Sequence, residues 1–211
     1  MTENSKKKVR AMTLTYVVEN GLYINITNKC SNRCDFCIRN NADGAYGSDS
    51  LWLEREPTVA EVLDSVFSRE LSDFSEIVFC GYGEPSERLA DVRTVAEKIK
   101  EAFPDMKIRI NTNGQSDLIL GCDSAPLYDV FDEVSISLNS PNAAGYQRIC
   151  HSRYGEHAFE SILNFAKNVK NYAGRVKLSV VRESLTESEL LECKKIAETC
   201  GVPLRVRDLI K

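Results

Sequence analysis

Three of the chain's eight cysteines stand close together, in the run Cys30-Ser31-Asn32-Arg33-Cys34-Asp35-Phe36-Cys37. A C-x3-C-x2-C run offers three soft, anionic sulfurs, the ligand type that holds iron–sulfur clusters. The intervening residues are polar, as suits a loop wrapped around a metal, and Lys29 and Arg33 are placed to lower the thiol pKa values. Other chemistries stay open on these residues alone. Positions 30, 34 and 37 share one face of a helix and would serve as a buried stripe. A structural zinc site wants a fourth Cys or His from elsewhere in the chain. Cys34-Asp35-Phe36-Cys37 is also a CxxC redox motif, which leaves Cys30 unused. Such a zinc-binding or thiol-redox module would not be an enzyme of the cluster type.

The remaining cysteines carry weaker signals. Cys80 falls in a predicted strand and reads as core, and Cys122 and Cys150 lie in less regular segments. Cys193 and Cys200 share a helix face with Leu190 and Ala197, which favours a buried stripe over an auxiliary cluster. His151 and His157 have no second ligand nearby and read as local hydrogen-bonding residues.

The elements that must position the thiols follow from periodicity. Thr13–Val18 and Leu22–Thr27 flank Glu19-Asn20-Gly21, and Asn-Gly between two apolar runs predicts a hairpin. Thr58 with Glu61 forms a capping-box pattern that opens a helix to about Leu71. Strands follow at 76–80, 107–112, 133–138, 176–181 and 203–208. Helical patterns lie between them at 87–103, 156–173 and 187–200, with a broken helical region around 115–130. The alternation predicts α/β architecture with parallel strands and right-handed crossovers. A full eight-unit barrel takes roughly 250 residues, so 211 residues with six such strands predict an incomplete barrel, (β/α)6, preceded by a β-hairpin extension. An open doubly wound sheet is the alternative. Three strands pair an apolar face with a polar one: Tyr23 and Asn25 on the first, Arg109, Asn111 and Asn113 on the third, Ser135, Ser137 and Asn139 on the fourth. Parallel strands are usually apolar on both faces, so the polar set predicts a lumen that holds a ligand and water.

Composition narrows the function. The formal charge is −4, against a broad nucleic-acid surface. No apolar run is long enough to span a membrane. The charged start, Met1 to Lys8, has no apolar signal core and reads as a cytoplasmic chain with a flexible basic tail over residues 1–12.

The cysteine run, with an aromatic just before its third cysteine, resembles the signature of the radical S-adenosylmethionine (radical SAM) superfamily. Three later segments at strand ends extend the resemblance: Gly81-Tyr82-Gly83-Glu84-Pro85, similar to the family's GGEP; Asn111-Thr112-Asn113-Gly114, similar to T-N-G; and Ser135 to Ser140. The resemblance covers about residues 22–208 and implies a partial (β/α)6 TIM-like barrel forming one radical SAM domain over 1–211. It implies a 4Fe–4S cluster on Cys30, Cys34 and Cys37 with one iron left for S-adenosylmethionine. Reductive cleavage of that cofactor gives a 5′-deoxyadenosyl radical, which takes hydrogen from substrate. The implied cofactor residues are Phe36, Gly81, Tyr82, Gly83, Glu84, Asn113, Ser137, Asn139 and Val181, with Arg148 or Arg153 on the cofactor carboxylate. An electron donor such as flavodoxin or ferredoxin is also implied. Thr27-Asn28-Lys29-Cys30 and Cys37-Ile38-Arg39-Asn40 look most like the small proteins associated with TatD-type hydrolases. Glycyl-radical activases and 7-carboxy-7-deazaguanine synthases are the other short members it resembles. For substrate, a small molecule or a peptide, the lumen residues Tyr23, Asn25 and Arg109 are the candidates. Arg205 and Arg207 join them if their face looks inward, where they would hold a carboxylate or phosphate. The preferred reading of that pair is edge-strand charges that block pairing.

Overall fold

A computed structural model describes residues 9–209. Seven strands form one sheet: β1 Thr15–Val18, β2 Gly21–Ile24, β3 Glu76–Phe79, β4 Ile108–Thr112, β5 Glu133–Ser137, β6 Val176–Val181 and β7 Leu204–Arg207. Six helices connect them: α1 Val59–Phe67, α2 Leu89–Ala102, α3 Ser116–Leu120, α4 Ala143–Cys150, α5 His157–Val169 and α6 Glu187–Cys200. The spatial order equals the chain order, from β1 to β7. β1 is antiparallel to β2, and every later pair is parallel. A doubly wound sheet would reverse its order at a switch point, so this singly wound order is that of the partial barrel. Among the described residues β1 and β7 do not pair, and the barrel stays open between them.

The helix starts are dictated locally. Thr58 and Thr186 each accept from the third residue of the helix, while Glu61 and Glu189 reach back to the cap, so both boxes are reciprocal. α6 stops at Gly201, which takes the left-handed conformation at φ 70°. α1 ends at Phe67, short of the expected Leu71. At the hairpin Val18 pairs with Gly21, so the turn is Glu19-Asn20, one residue earlier than the Asn-Gly signal suggests. Glu19 takes the positive φ, 53°. The helices cover one face of the sheet only. Leu22, Ile24, Ile77, Phe79, Ile108, Ile110, Val134, Ile136 and Leu178 are all fully buried there, against Val62, Val66, Ala96, Ile162 and Phe165 from α1, α2 and α5.

The expected flexible tail of residues 1–12 lies partly outside the described residues. Residues 9–12 are held: the Val9 amide donates to Asp43 (3.1 Å), and Ala11 bridges to Leu53. No helix among the described residues is long and apolar enough to cross a membrane.

Candidate active site

The other face of the sheet curves around a cavity of about 310 Å³. Parity along each strand decides what lines it. Tyr23 comes from β2, Arg109 and Asn111 from β4, Ser135 and Ser137 from β5, Ser179 from β6, and Arg205 and Arg207 from β7. The loops after β2, β3, β4 and β5 close the upper end with Cys30, Cys34, Phe36, Cys37, Gly81 to Glu84, Asn113 and Asn139. The separated segments of the sequence pattern therefore meet at one place, the C-terminal end of the strands, where barrels build their sites.

The cysteine loop has little regular structure, yet its turns are pinned. The amides of Arg33 and Asp35 donate to the last carbonyls of α4, Cys150 (2.9 Å) and Ile149 (3.0 Å). The Asn32 side chain donates to Tyr146 Oη (2.9 Å) and accepts from Gln115 Nε2 (2.9 Å). Asn113 Nδ2 donates to Ser31 Oγ at 2.7 Å. Arg39 donates to the carbonyls of Asn32 (2.8 Å) and Tyr82 (3.3 Å), tying the loop to the turn after β3.

That turn needs glycine because it lies against the chain leading into the cysteines. A Cβ on Gly83 would come within 2.3 Å of the Thr27 carbonyl oxygen, and one on Gly81 within 2.2 Å of Asn25 Oδ1. Tyr82, where the family pattern has glycine, is on the cavity wall, and its hydroxyl is shared between Ala42 O (2.8 Å) and Gly44 O (3.0 Å) in the segment that follows the cysteines. The buried Glu84 carboxylate is saturated. Oε1 accepts from the Ser86 amide (3.1 Å), Ser86 Oγ (2.7 Å) and Thr112 Oγ1 (2.7 Å), and Oε2 from the Asn113 amide (2.7 Å). Burial raises the pKa of this carboxyl, and those four donors oppose the rise. Glu84 thus clamps the ends of β3 and β4 together.

The thiols are proton-holding here. Burial pushes Cys30 up to about 12, with the Glu84 charge adding to it. A side-chain hydrogen bond to Cys150, together with burial, raises Cys34, and burial raises Cys37. The expected lowering by Lys29 and Arg33 is not found. Both are exposed, and the opposing cations are Arg39 and, at Cys37, also Arg207. Among the described residues no three Cys, His, Asp or Glu side chains gather about a single ion. The three thiols instead border one shared space.

Two further observations mark that space as built for a ligand. Asn139 lines it at a left-handed φ of 57°, and its Oδ1 is buried without a hydrogen-bond partner. A ligand donor would satisfy it. Gly81 and Gly83 leave their backbone bare on the same wall. These features fit a cluster and an adenosyl cofactor.

The structure separates the other expected residues. Asn25 does not reach the lumen. It is fully buried, donating to Thr13 O (3.2 Å) and Leu51 O (2.8 Å) and accepting from the Tyr82 amide (3.3 Å), so it fastens the β3 turn. Val181 is fully buried and is not on the cavity wall. Arg205 and Arg207 line the cavity, contrary to the edge-charge reading, because the open barrel turns this face of β7 inward. Arg148 and Arg153 are outside it, facing Glu189 (3.9 Å) and Glu87 (3.4 Å). Cys193 and Cys200 are buried in the apolar core. His151 Nε2 donates to Asp35 Oδ1 at 2.7 Å, a contact that joins the residue after α4 to the cysteine loop rather than to its own segment.

Some lining residues lie outside the set that the sequence motifs mark. Cys80 sits on the lumen side, two positions from Val78 and level with the polar sets of its neighbours; strand parity holds that signal. Tyr46 has none, since loop placement alone brings it in.

A singly wound half barrel with three thiols and a glycine turn at its mouth is the architecture of a cluster-dependent α/β enzyme class. The model of the Radical SAM superfamily matches residues 24–195, and the chain belongs to that superfamily. A probable GTP 3′,8-cyclase of Thermococcus kodakarensis is 25% identical over 189 residues, covering 89% of this chain and 56% of that protein. The FeMo cofactor biosynthesis protein NifB of Klebsiella pneumoniae is 26% identical over 126 residues, covering 58% of this chain and 26% of NifB. The crystal structure of SuiB from Streptococcus suis, bound to precursor peptide SuiA, superposes with a TM-score of 0.66 at 15% identity, covering 90% of this chain and 39% of SuiB. That last likeness shows the fold. The chain spans about half the length of the cyclase relative and less of the other two.

Proposed function

We propose that this chain is a radical SAM enzyme acting in the cytoplasm, with β2–β7 as one catalytic domain. The observation that carries the reading is the convergence on one cavity of three thiols, a glycine turn and an unpaired buried amide oxygen. Cys30, Cys34 and Cys37 would hold a 4Fe–4S cluster. When bound, cluster and S-adenosylmethionine supply an electron transfer that yields a 5′-deoxyadenosyl radical able to take hydrogen from substrate. The chain's own part is positioning. The backbone of Gly81 to Gly83, with Asn113, Ser137 and Asn139, shapes the cofactor pocket beside Phe36. Glu84 fixes the two strand ends that carry it. The lumen below, with Tyr23 and Arg109, receives the substrate and limits its size, and the β7 arginines stand at its open edge.

The test is anaerobic reconstitution, reduction by dithionite with S-adenosylmethionine present, and measurement of 5′-deoxyadenosine. Formation of that product supports the reading; its absence from protein with a verified cluster overturns it.

The subfamily reading is part of the same proposal: the residues around Cys30 and Cys37 support kinship with TatD-associated radical SAM proteins. Co-purification with a TatD-type hydrolase tests it. Flavodoxin or ferredoxin is the proposed electron donor. A cavity of this size admits a small molecule or one side chain of a peptide, and SuiB offers a neighbour whose partner is a peptide. Installation of a glycyl radical on a partner protein would mark an activase, and turnover of a pterin-like molecule would mark a synthase.

A further inference from the structure

The charged groups of the lumen fall into two sets. Arg109 makes a two-pronged pair with Glu76, Nη2 to Oε1 at 2.6 Å and Nε to Oε2 at 3.0 Å, and lies 3.7 Å from Glu133. Lys177 meets Glu133 at 2.5 Å. The Glu84 carboxylate is saturated by its four donors. Each of these carboxylates is therefore engaged. Arg205 and Arg207 are different. Both line the cavity, two residues apart on the same face of β7, in register with Ser179 and Val181. No described carboxylate lies within ion-pair distance of either guanidinium, and neither donates a hydrogen bond to a described residue. Arg207 is half-buried, and its charge is disfavoured chiefly by that burial, with Cys80, Tyr46 and Cys34 opposing and Arg205 beside it adding; Arg205 is exposed, and its charge is felt by Glu76.

A partly buried charge without a partner is costly. Arginine cannot shed the cost by deprotonating. Its planar fork matches the paired oxygens of a carboxylate or a phosphate. Two such forks facing one cavity, with these lumen carboxylates already committed elsewhere, leave a place for one external oxyanion. We propose that Arg205 and Arg207 form the anion subsite of this cavity and that the substrate is anionic, carrying a carboxylate or phosphate that the pair binds. This rests on the radical SAM reading above for the identity of the cavity as a substrate chamber.

The experiment is isothermal titration of the reconstituted protein with S-adenosylmethionine bound, using inorganic phosphate in one arm and succinate in the other. Ionic strength is held constant so that general screening does not differ between arms. The expected result is saturable binding of at least one probe, weakened tenfold or more in the Arg205→Gln/Arg207→Gln protein. Affinity for S-adenosylmethionine and iron content should stay within twofold of wild type. Preference for phosphate or for succinate tells which oxyanion the substrate carries. Arg205→Gln alone, at the exposed rim, should show a smaller loss and covers the case of a double variant that fails to fold. Absence of binding by both probes, or equal binding by wild type and the variants, overturns the proposal. So does a tenfold loss of S-adenosylmethionine affinity in the double variant with probe binding unchanged, which would give the arginines to the cofactor. The parent reading fails separately, by wild-type protein that assembles no cluster. The probe arms run on that same protein still report on the arginines.

Discussion

The floor and the mouth of the lumen are built on opposite principles. At the floor, charge is matched inside the chain. Arg109, with 8% of its side chain exposed, is shared among Glu76, Glu133, Asn111 (2.8 Å) and Tyr23 (3.2 Å). At the mouth, groups are left unmatched: the Asn139 amide oxygen and two arginines along the open edge, on the space that the three thiols share. The floor meets its charges inside the chain and so braces the barrel, with Tyr23 and Arg109 still on the cavity wall. The mouth leaves its unmet valences for molecules that come and go. Polar residues on a strand face thus serve opposite ends according to height along the strand.

The largest effect expected is at the mouth. Cys34→Ala should lose the cluster and bring 5′-deoxyadenosine formation to background, while the thermal melt of the metal-free protein stays near that of metal-free wild type. Iron and sulfide analysis beside circular dichroism checks both halves. A collapsed melt would mean that the mouth, like the floor, is structural. Next comes the floor. Arg109→Met leaves Glu76 without its two-pronged partner, while Glu133 keeps Lys177. Breaking a buried pair costs about 3–5 kcal/mol, and Glu76 is 32% exposed, so about 2–3 kcal/mol is expected by urea unfolding. Affinity for S-adenosylmethionine in the folded fraction should hardly change.

Gly83→Ala sharpens the contrast. The added Cβ, 2.3 Å from the Thr27 carbonyl oxygen, must push the turn off the cysteine segment. S-adenosylmethionine binding should weaken about tenfold, which is about 1.4 kcal/mol by equilibrium titration. The smallest effect lies outside the lumen. Hydrogen bonds from Arg55 and Thr58 hold the Glu61 carboxyl down to about 2. Its folded pKa is below the unfolded value, so its contribution is present above about pH 4.5. That contribution fades as pH falls toward 2. Glu61→Gln should flatten this part of the acid unfolding curve and leave cluster and cofactor binding unchanged.

Much of this arrangement is legible in the amino-acid sequence. The strand Val176–Val181 and both capping boxes follow from local chemistry, because alternation and side-chain caps act within a few residues. The site motifs are legible because each sits at a strand end. What is not legible depends on closure. α4 escapes the periodicity because it is only eight residues long, starts after Ser140-Pro141 and carries Gly145. Asn25 and Cys80 exchange their expected roles, since parity gives the face but not which polar group a neighbouring loop will consume. The direction of Arg205 and Arg207 cannot be read from β7 alone, because an edge strand faces a lumen only when the sheet curls.

The docking of the cysteine loop has a further meaning. The amides of Arg33 and Asp35 are spent on the end of α4, and the Asn32 side chain on Tyr146 and Gln115. In small zinc domains the ion organises the chain, and removing it unfolds the whole. Here ordinary hydrogen bonds between protein groups hold the same turns, so the shape of the cysteine loop depends on the end of α4 and on Gln115 as well as on its thiols.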